Sequence, residues 1–115
     1  GDGGALMTGS ELATAVAQKA KIRVIVANNN HYGTIRYHQE VHFPTRDHYA
    51  TNLVNPDFAK YGESFGLKCF TINNTEEILT TIKSAMEVDG PSLIEFKMSL
   101  ELNTSTTTIS QLQTN

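Results

Sequence analysis

The sequence has a single cysteine, so no disulfide can form within the chain. Cys69 sits in the apolar stretch Leu67-Lys68-Cys69-Phe70, where cysteine usually behaves as a small buried hydrophobe, and no set of basic residues surrounds it in sequence to activate it. Basic clusters are missing throughout. The net charge is −3, and the electrostatic footprint that a nucleic-acid backbone demands is absent. No apolar run approaches the roughly 20 residues that cross a bilayer. The Gly-rich, acidic start is unlike a basic, hydrophobic signal peptide, so no membrane partner is expected and the cytoplasm is the expected compartment. There is no cysteine pair and no His-Glu-x-x-His pattern. His38 and His42, four apart, with His31 and His48 nearby, are therefore read as surface residues and not as a zinc set.

What is present is ordinary for a folded protein. With 115 residues, 39% of them apolar and 18% charged, the chain has the composition of one globular domain and lies far from the disordered regime. Thr8 and Glu11 read as a capping box that starts a helix running to about Ala20. Ile22 to Ala27 is a short β-branched run, as expected of a strand buried on both faces of a parallel sheet. A short helix is expected from Ile35 to Glu40, and residues 41–54 read as a long surface loop, either a lid or binding segment or, more plainly, an irregular excursion. Asn55-Pro56-Asp57 supplies an N-cap, a proline at the first helical position and an early acid. Phe58, Tyr61 and Phe65 follow at helical spacing until Gly66.

A strand from Lys68 to Ile72 comes next. Asn74 and Glu77 cap a helix whose apolar face is Ile78, Leu79, Ile82, Ala85 and Met86, and Ser92 to Lys97 forms a last strand. Alternating helices and strands define an α/β fold, a parallel sheet with crossover helices. Because a glycine turn feeding a helix should itself be fed by a strand, the sheet is expected to lack its first strand. Residues 1–98 are taken as the folded, partial domain, and 99–115 as a polar tail that is extended or mobile.

The chemistry concentrates in two loops, Gly1-Asp2-Gly3-Gly4 and Asn28-Asn29-Asn30-His31-Tyr32-Gly33. A strand-turn-helix-strand unit brings such loops together at the carboxyl edge of the sheet. Asp2 offers a hard carboxylate and an asparagine offers a hard carbonyl oxygen. Mg²⁺ takes such oxygens, one or two carboxylates at most, and completes its octahedron with phosphate and water. Glycines let backbone N–H groups approach a phosphate closely, and a helix N-terminus favours the same charge. A magnesium-bridged diphosphate satisfies all of these features. Glu11 needs no such role, because capping accounts for it. Asn73-Asn74 is a turn and cap.

Gly-Asp-Gly followed at this distance by Asn-Asn resembles the diphosphate fingerprint of thiamin-diphosphate-dependent enzymes. The segment Gly9-Ser10-Glu11-Leu12-Ala13-Thr14-Ala15 is similar to the same group. Tyr32-Gly33-Thr34-Ile35-Arg36, Asn55-Pro56-Asp57-Phe58 and Asp89-Gly90-Pro91-Ser92-Leu93-Ile94-Glu95 look like segments of acetolactate-synthase-like proteins, so the resemblance covers nearly the whole chain. It implies that Asp2, Asn29 and the main-chain oxygen of His31 bind the metal, with Asn28 the alternative to Asn29. It also implies that Gly3, Gly4, Gly33 and Thr34 hold the diphosphate. Where Gly4 stands, relatives often carry serine or alanine.

Ile35 and Tyr37 match substrate-facing positions, although biosynthetic acetolactate synthases have tryptophan where Tyr37 stands. Such enzymes add a thiazolium carbanion to a 2-keto acid and use the cofactor as an electron sink during decarboxylation or carboligation. The resemblance implies a homo-oligomer. It also places the glutamate that serves the pyrimidine ring, and the wedge that bends the cofactor, outside this sequence. The residues here are thus expected to anchor the cofactor without catalysing alone, and no catalytic residue is assigned. The competing reading is a non-catalytic Rossmann-like nucleotide-binding or oligomerisation module. Against it, Gly1, Gly3 and Gly4 do not extend to a Gly-x-Gly-x-x-Gly spacing, and asparagines stand where its acid would be.

Overall fold

The computed structural model describes residues 1–102 and 106–113. It contains the expected parallel sheet, with β1 (Arg23–Asn28), β2 (Lys68–Ile72) and β3 (Ser92–Lys97) in the order β1-β3-β2. The middle strand is the last in sequence. Register pairs Val26 with Glu95 and Thr71 with Glu95 across the sheet, so all three strands end on one edge. Alternation along β3 sends Leu93 and Ile94 to opposite faces. Leu93 joins Leu12, Val26, Phe58 and Leu67 in one core, flanked by Tyr61, Phe65 and Cys69. Ile94 joins Ile72 and Ala85 in the other.

Several expected boundaries shift for local reasons. The first helix does not start at Thr8. Helix α1 spans Asp2–Thr8, a 3-10 turn covers Gly9–Glu11, and α2 runs Leu12–Ala17. The Thr8 hydroxyl donates back to the Gly4 carbonyl at 3.2 Å, and the Glu11 carboxylate accepts from Thr14, so the capping box is not formed. Helix α2 stops three residues short of Ala20 because Lys19 turns left-handed, with φ 49°. There Ala20 N–H meets the Ala15 carbonyl and Lys19 N–H the Val16 carbonyl, a Schellman closure.

The strand buried on both faces is β3, whose Ser92 to Glu95 are all buried, and not β1. Among the described residues strand β1 has a neighbour on one side alone, and its Ile25 is 57% exposed. Helix α3 spans Gly33–His42, two residues longer at each end than expected, and α4 spans Phe58–Ser64. The N-cap of α4 is Asp57, whose carboxylate accepts from Lys60 N–H at 3.0 Å, and not Asn55. The cap of Asn74 on Glu77 forms as expected and leads through a 3-10 turn into α5 (Ile78–Met86). The described part of the tail is docked and not extended. Helix α6 (Ile109–Gln113) packs on α3 with Ile109 buried, and Gln113 donates to Glu40 at 3.2 Å. No helix among the described residues is long and apolar enough to cross a membrane.

At the amino edge of the sheet the Arg23 guanidinium donates to four carbonyls: Ile22, Gly90, Met86 and Val88, at 2.6–3.0 Å. It thereby satisfies orphan carbonyls at the end of α5 and ties that helix to β1. Hydrogen bonds from a charged donor are worth about 1.5–3 kcal/mol. Arg23→Met should therefore lower unfolding stability by about that amount in urea titration, and Arg23→Lys should restore little of it, since a point charge cannot fork between four acceptors.

Burial pushes the Cys69 thiol up to about 11, with the charge of Glu63 adding to the effect. The folded value lies above the ordinary 9.0, so this group's contribution to stability is whole below pH 9.0 and is lost as pH rises toward 11. Alkylation rates measured against pH should show the folded thiol ionising near 11 and the urea-unfolded thiol near 9.0.

Candidate functional site

Parallel strands deliver their following loops to one edge, and that geometry builds the site. Beyond β1 the chain makes two successive Asx turns. The side-chain oxygen of Asn28 accepts from Asn30 N–H at 3.1 Å, and that of Asn29 accepts from His31 N–H at 3.2 Å. Asn30 takes φ 58°, a left-handed conformation that asparagine tolerates better than most residues. His31 then pairs with Asn52 of the 41–54 segment in an antiparallel bridge. The flanking bonds are Tyr32 N–H to the Thr51 carbonyl at 2.9 Å and Leu53 N–H to the Asn30 carbonyl at 2.8 Å. A pair flanked in this way is of the non-hydrogen-bonded kind, so the carbonyl of His31 points away from its partner. Residues 51–53 of the expected surface loop thereby brace the asparagine turn.

Helix α3 follows at once. Its first backbone bond is Arg36 N–H to Tyr32, which leaves the N–H groups of Gly33, Thr34 and Ile35 without intrahelical partners. In α1 the first such bond is Ala5 N–H to Gly1, which frees those of Asp2, Gly3 and Gly4 in the same way. Both helix starts open onto one hollow of about 350 Å³, lined by Asp2, Gly3, Gly4, Asn29, His31, Gly33, Thr34 and Ile35. These are the residues singled out from the sequence, with one exception. Tyr37 is absent from the lining; its ring stands edge-on to His38 at 5.6 Å.

The glycines differ in what they permit. A Cβ on Gly3 would lie 2.6 Å from the Tyr32 ring, whereas one on Gly4 would meet nothing within 4 Å. Of these two, Gly3 is the one whose missing side chain permits a close approach.

The histidines other than His31 have local roles. His38 and His42 are exposed and stack at 5.7 Å, and no group of three metal-binding side chains from His, Cys, Asp and Glu occurs among the described residues. His31 holds its own turn: Nδ1 lies 3.2 Å from the Asn29 carbonyl and Nε2 lies 3.3 Å from an Arg36 nitrogen. Because guanidinium can only donate, Nε2 accepts and Nδ1 carries the proton. Arg36 is in turn fixed by its ion pair with buried Glu40.

Sequence reasoning missed Asn55. Its side-chain nitrogen donates to Asp2 Oδ2 at 2.8 Å, Asn28 Oδ1 at 2.8 Å and Asn30 Oδ1 at 3.1 Å. Asn28 is fully engaged, because its own nitrogen donates to buried Glu95 at 2.8 Å. It lines a separate hollow with Asn55 and Glu95, while Asn29 lines the hollow of Asp2. The signal available in the sequence was redundancy. Asn55 and Asp57 are both good caps for one helix, and only one of them could serve.

A parallel α/β sheet with free N–H groups and one carboxylate at its carboxyl edge defines the class of α/β domains that bind phosphorylated ligands there. Residues 1–96 match the family described as thiamine pyrophosphate enzyme, C-terminal TPP binding domain, and the chain belongs to that family. It is 33% identical over 96 residues to the acetolactate synthase large subunit of Porphyra purpurea, covering 83% of this chain and 16% of the relative. It is 36% identical over 95 residues to the putative thiamine pyrophosphate-containing protein YdaP of Bacillus subtilis, with 83% and 16% covered. To the 3D-(3,5/4)-trihydroxycyclohexane-1,2-dione hydrolase of the same organism it is 35% identical over 106 residues, with 85% and 16% covered. The chain thus spans 16% of the length of these relatives.

Gly3→Ala should cost about 1–3 kcal/mol, the usual range for overpacking. Gly4→Ala should be neutral or stabilising by up to about 1 kcal/mol through helix propensity. Thermal melts of the two variants check the contrast.

Proposed function

We propose that this domain anchors thiamin diphosphate, the thiamine pyrophosphate of its family, by the diphosphate end through Mg²⁺. Asp2, Asn29 and the main-chain oxygen of His31 take the metal. The backbone N–H groups of Gly3, Gly4, Gly33 and Thr34 take the diphosphate. The observation that carries this reading is the shared hollow, in which two unpaired sets of N–H groups face one hard carboxylate and one amide. The donor set fits. Unpaired N–H groups suit phosphate oxygens, and Mg²⁺ between them and Asp2 removes the repulsion that two anions would otherwise suffer. Asn29 is favoured over Asn28 because it lines the hollow of Asp2 while Asn28 lines the neighbouring one, and because Asn28 Oδ1 accepts two hydrogen bonds where Asn29 Oδ1 accepts one. The carbonyl of His31 is left out of its bridge and is therefore free to serve.

When bound, thiamin diphosphate supplies the electron sink for making and breaking carbon–carbon bonds next to a carbonyl. The residues of this chain hold and orient its charged end. Ile35 lines the hollow at the start of α3 and is our candidate for contact with substrate. Tyr37 stands outside that lining, and we assign it packing against His38. Acetolactate-synthase-like chemistry on a 2-keto acid, decarboxylation or carboligation, is proposed for a longer protein acting as a homo-oligomer. This chain alone is proposed to be inactive.

Calorimetric titration of thiamin diphosphate with and without Mg²⁺ tests the anchor. Binding should require Mg²⁺ and should weaken by about tenfold or more in Asp2→Ala and Asn29→Ala, on the scale seen when metal sites lose a partner. Equal binding without metal, or an Asp2→Ala variant that binds as well as the parent, would sink the reading.

A further inference from the structure

Resting on that reading of the site, we infer that Asn55 is a positioning residue for the metal carboxylate: its side-chain amide holds Asp2 and the asparagine turn in one arrangement, so that the cation meets a preoriented carboxylate. Its nitrogen has two hydrogens and three oxygens in reach, Asp2 Oδ2, Asn28 Oδ1 and Asn30 Oδ1, at 2.8, 2.8 and 3.1 Å. Exchanging the nitrogen and oxygen of this amide would set an acceptor against three acceptors, so chemistry alone fixes the assignment. These contacts span the two loops that form the site, and they come from a residue some distance from both in sequence.

Asn55 acts through Asp2 and does not line the hollow of Asp2 itself; it borders the neighbouring one with Asn28 and Glu95. Asp2 is 2% exposed, and a carboxylate so far from water must find donors. Asn55 occupies Oδ2, and no hydrogen bond from a described residue reaches Oδ1. A neutral amide suits this task better than lysine or arginine would. It fixes the orientation of the carboxylate and leaves its full charge for a cation. The orientation has a cost, since Asn55 Oδ1 is buried without a partner among the described residues. That orphan oxygen is what remains when the nitrogen is committed to the three loop oxygens.

The test uses Mn²⁺ as the probe, read by electron paramagnetic resonance on the full chain, with thiamin diphosphate present. Removing a partner that orients a metal ligand typically costs about 10–100-fold in metal affinity. Asn55→Ala should lose Mn²⁺ affinity in that range while keeping a cooperative melt, and Asn55→Gln, which keeps the amide, should recover part of it. Asn55→Ala binding Mn²⁺ like the parent, while Asp2→Ala does not, would overturn the role of Asn55 and leave the anchor standing. If the parent chain binds no Mn²⁺ with thiamin diphosphate, both readings fail together. Should the variants not fold, the side-chain amide resonances of Asn55 in the parent decide the matter. They should exchange slowly with solvent and shift when diamagnetic Mg²⁺ and thiamin diphosphate are added, and fast exchange without a shift overturns the proposal.

Discussion

Asp2 places a carboxylate where almost no water reaches it, and the need to satisfy that group organises the whole carboxyl edge of the sheet. The partner is an amide brought from the far side of the 41–54 segment, not an opposite charge, and the same amide gathers two asparagines of the following turn. One of those asparagines reaches on to Glu95 in the central strand. A continuous polar web therefore runs from α1 through Asn55 and Asn28 into the middle of the sheet. Such webs are unforgiving, because every member that lacks a partner is costly in a low-dielectric interior. Loop geometry that would otherwise be free to vary is in this way made nearly unique.

The rest of the fold serves that edge. The order β1-β3-β2 puts the most deeply buried strand in the middle, so both cores grow from it. Tight packing of α4 on the sheet depends on Gly62, where a Cβ would fall 2.6 Å from the Cys69 sulfur. Cys69 accordingly fills space and is held protonated by burial. These features carry no chemistry of their own. They fix the height and direction at which β1 releases the asparagine turn.

Strands, their parallel sense and the meeting of the two loops at one hollow were legible in the sequence, because each follows from local pattern. The run from Ile22 to Ala27, the glycines flanking Asp2 and the asparagines after Ala27 each announce themselves locally. What was hidden depends on distant partners. The run now in β1 looked doubly buried, yet its depth is set by how many strands lie beside it. Thr8 and Glu11 matched a capping box, but the box requires the helix to begin there, and the chain was already helical from Asp2. Asn55 could not be separated from Asp57 as a cap, because its true partners lie 53, 27 and 25 residues away. Tyr37 matches a substrate-facing position by resemblance, yet two residues along α3 from Ile35 it does not line the hollow of Asp2. The tail looked featureless, and a single buried isoleucine is enough to dock it.

The two ends of the sheet are fastened by unlike means. At the amino edge, one guanidinium grips four carbonyls and binds β1 to the end of α5. At the carboxyl edge, side-chain amides tie the buried carboxylates of Asp2 and Glu95 to the asparagine turn. The two fastenings share no residue, so a change that loosens one of them leaves the bonds of the other in place.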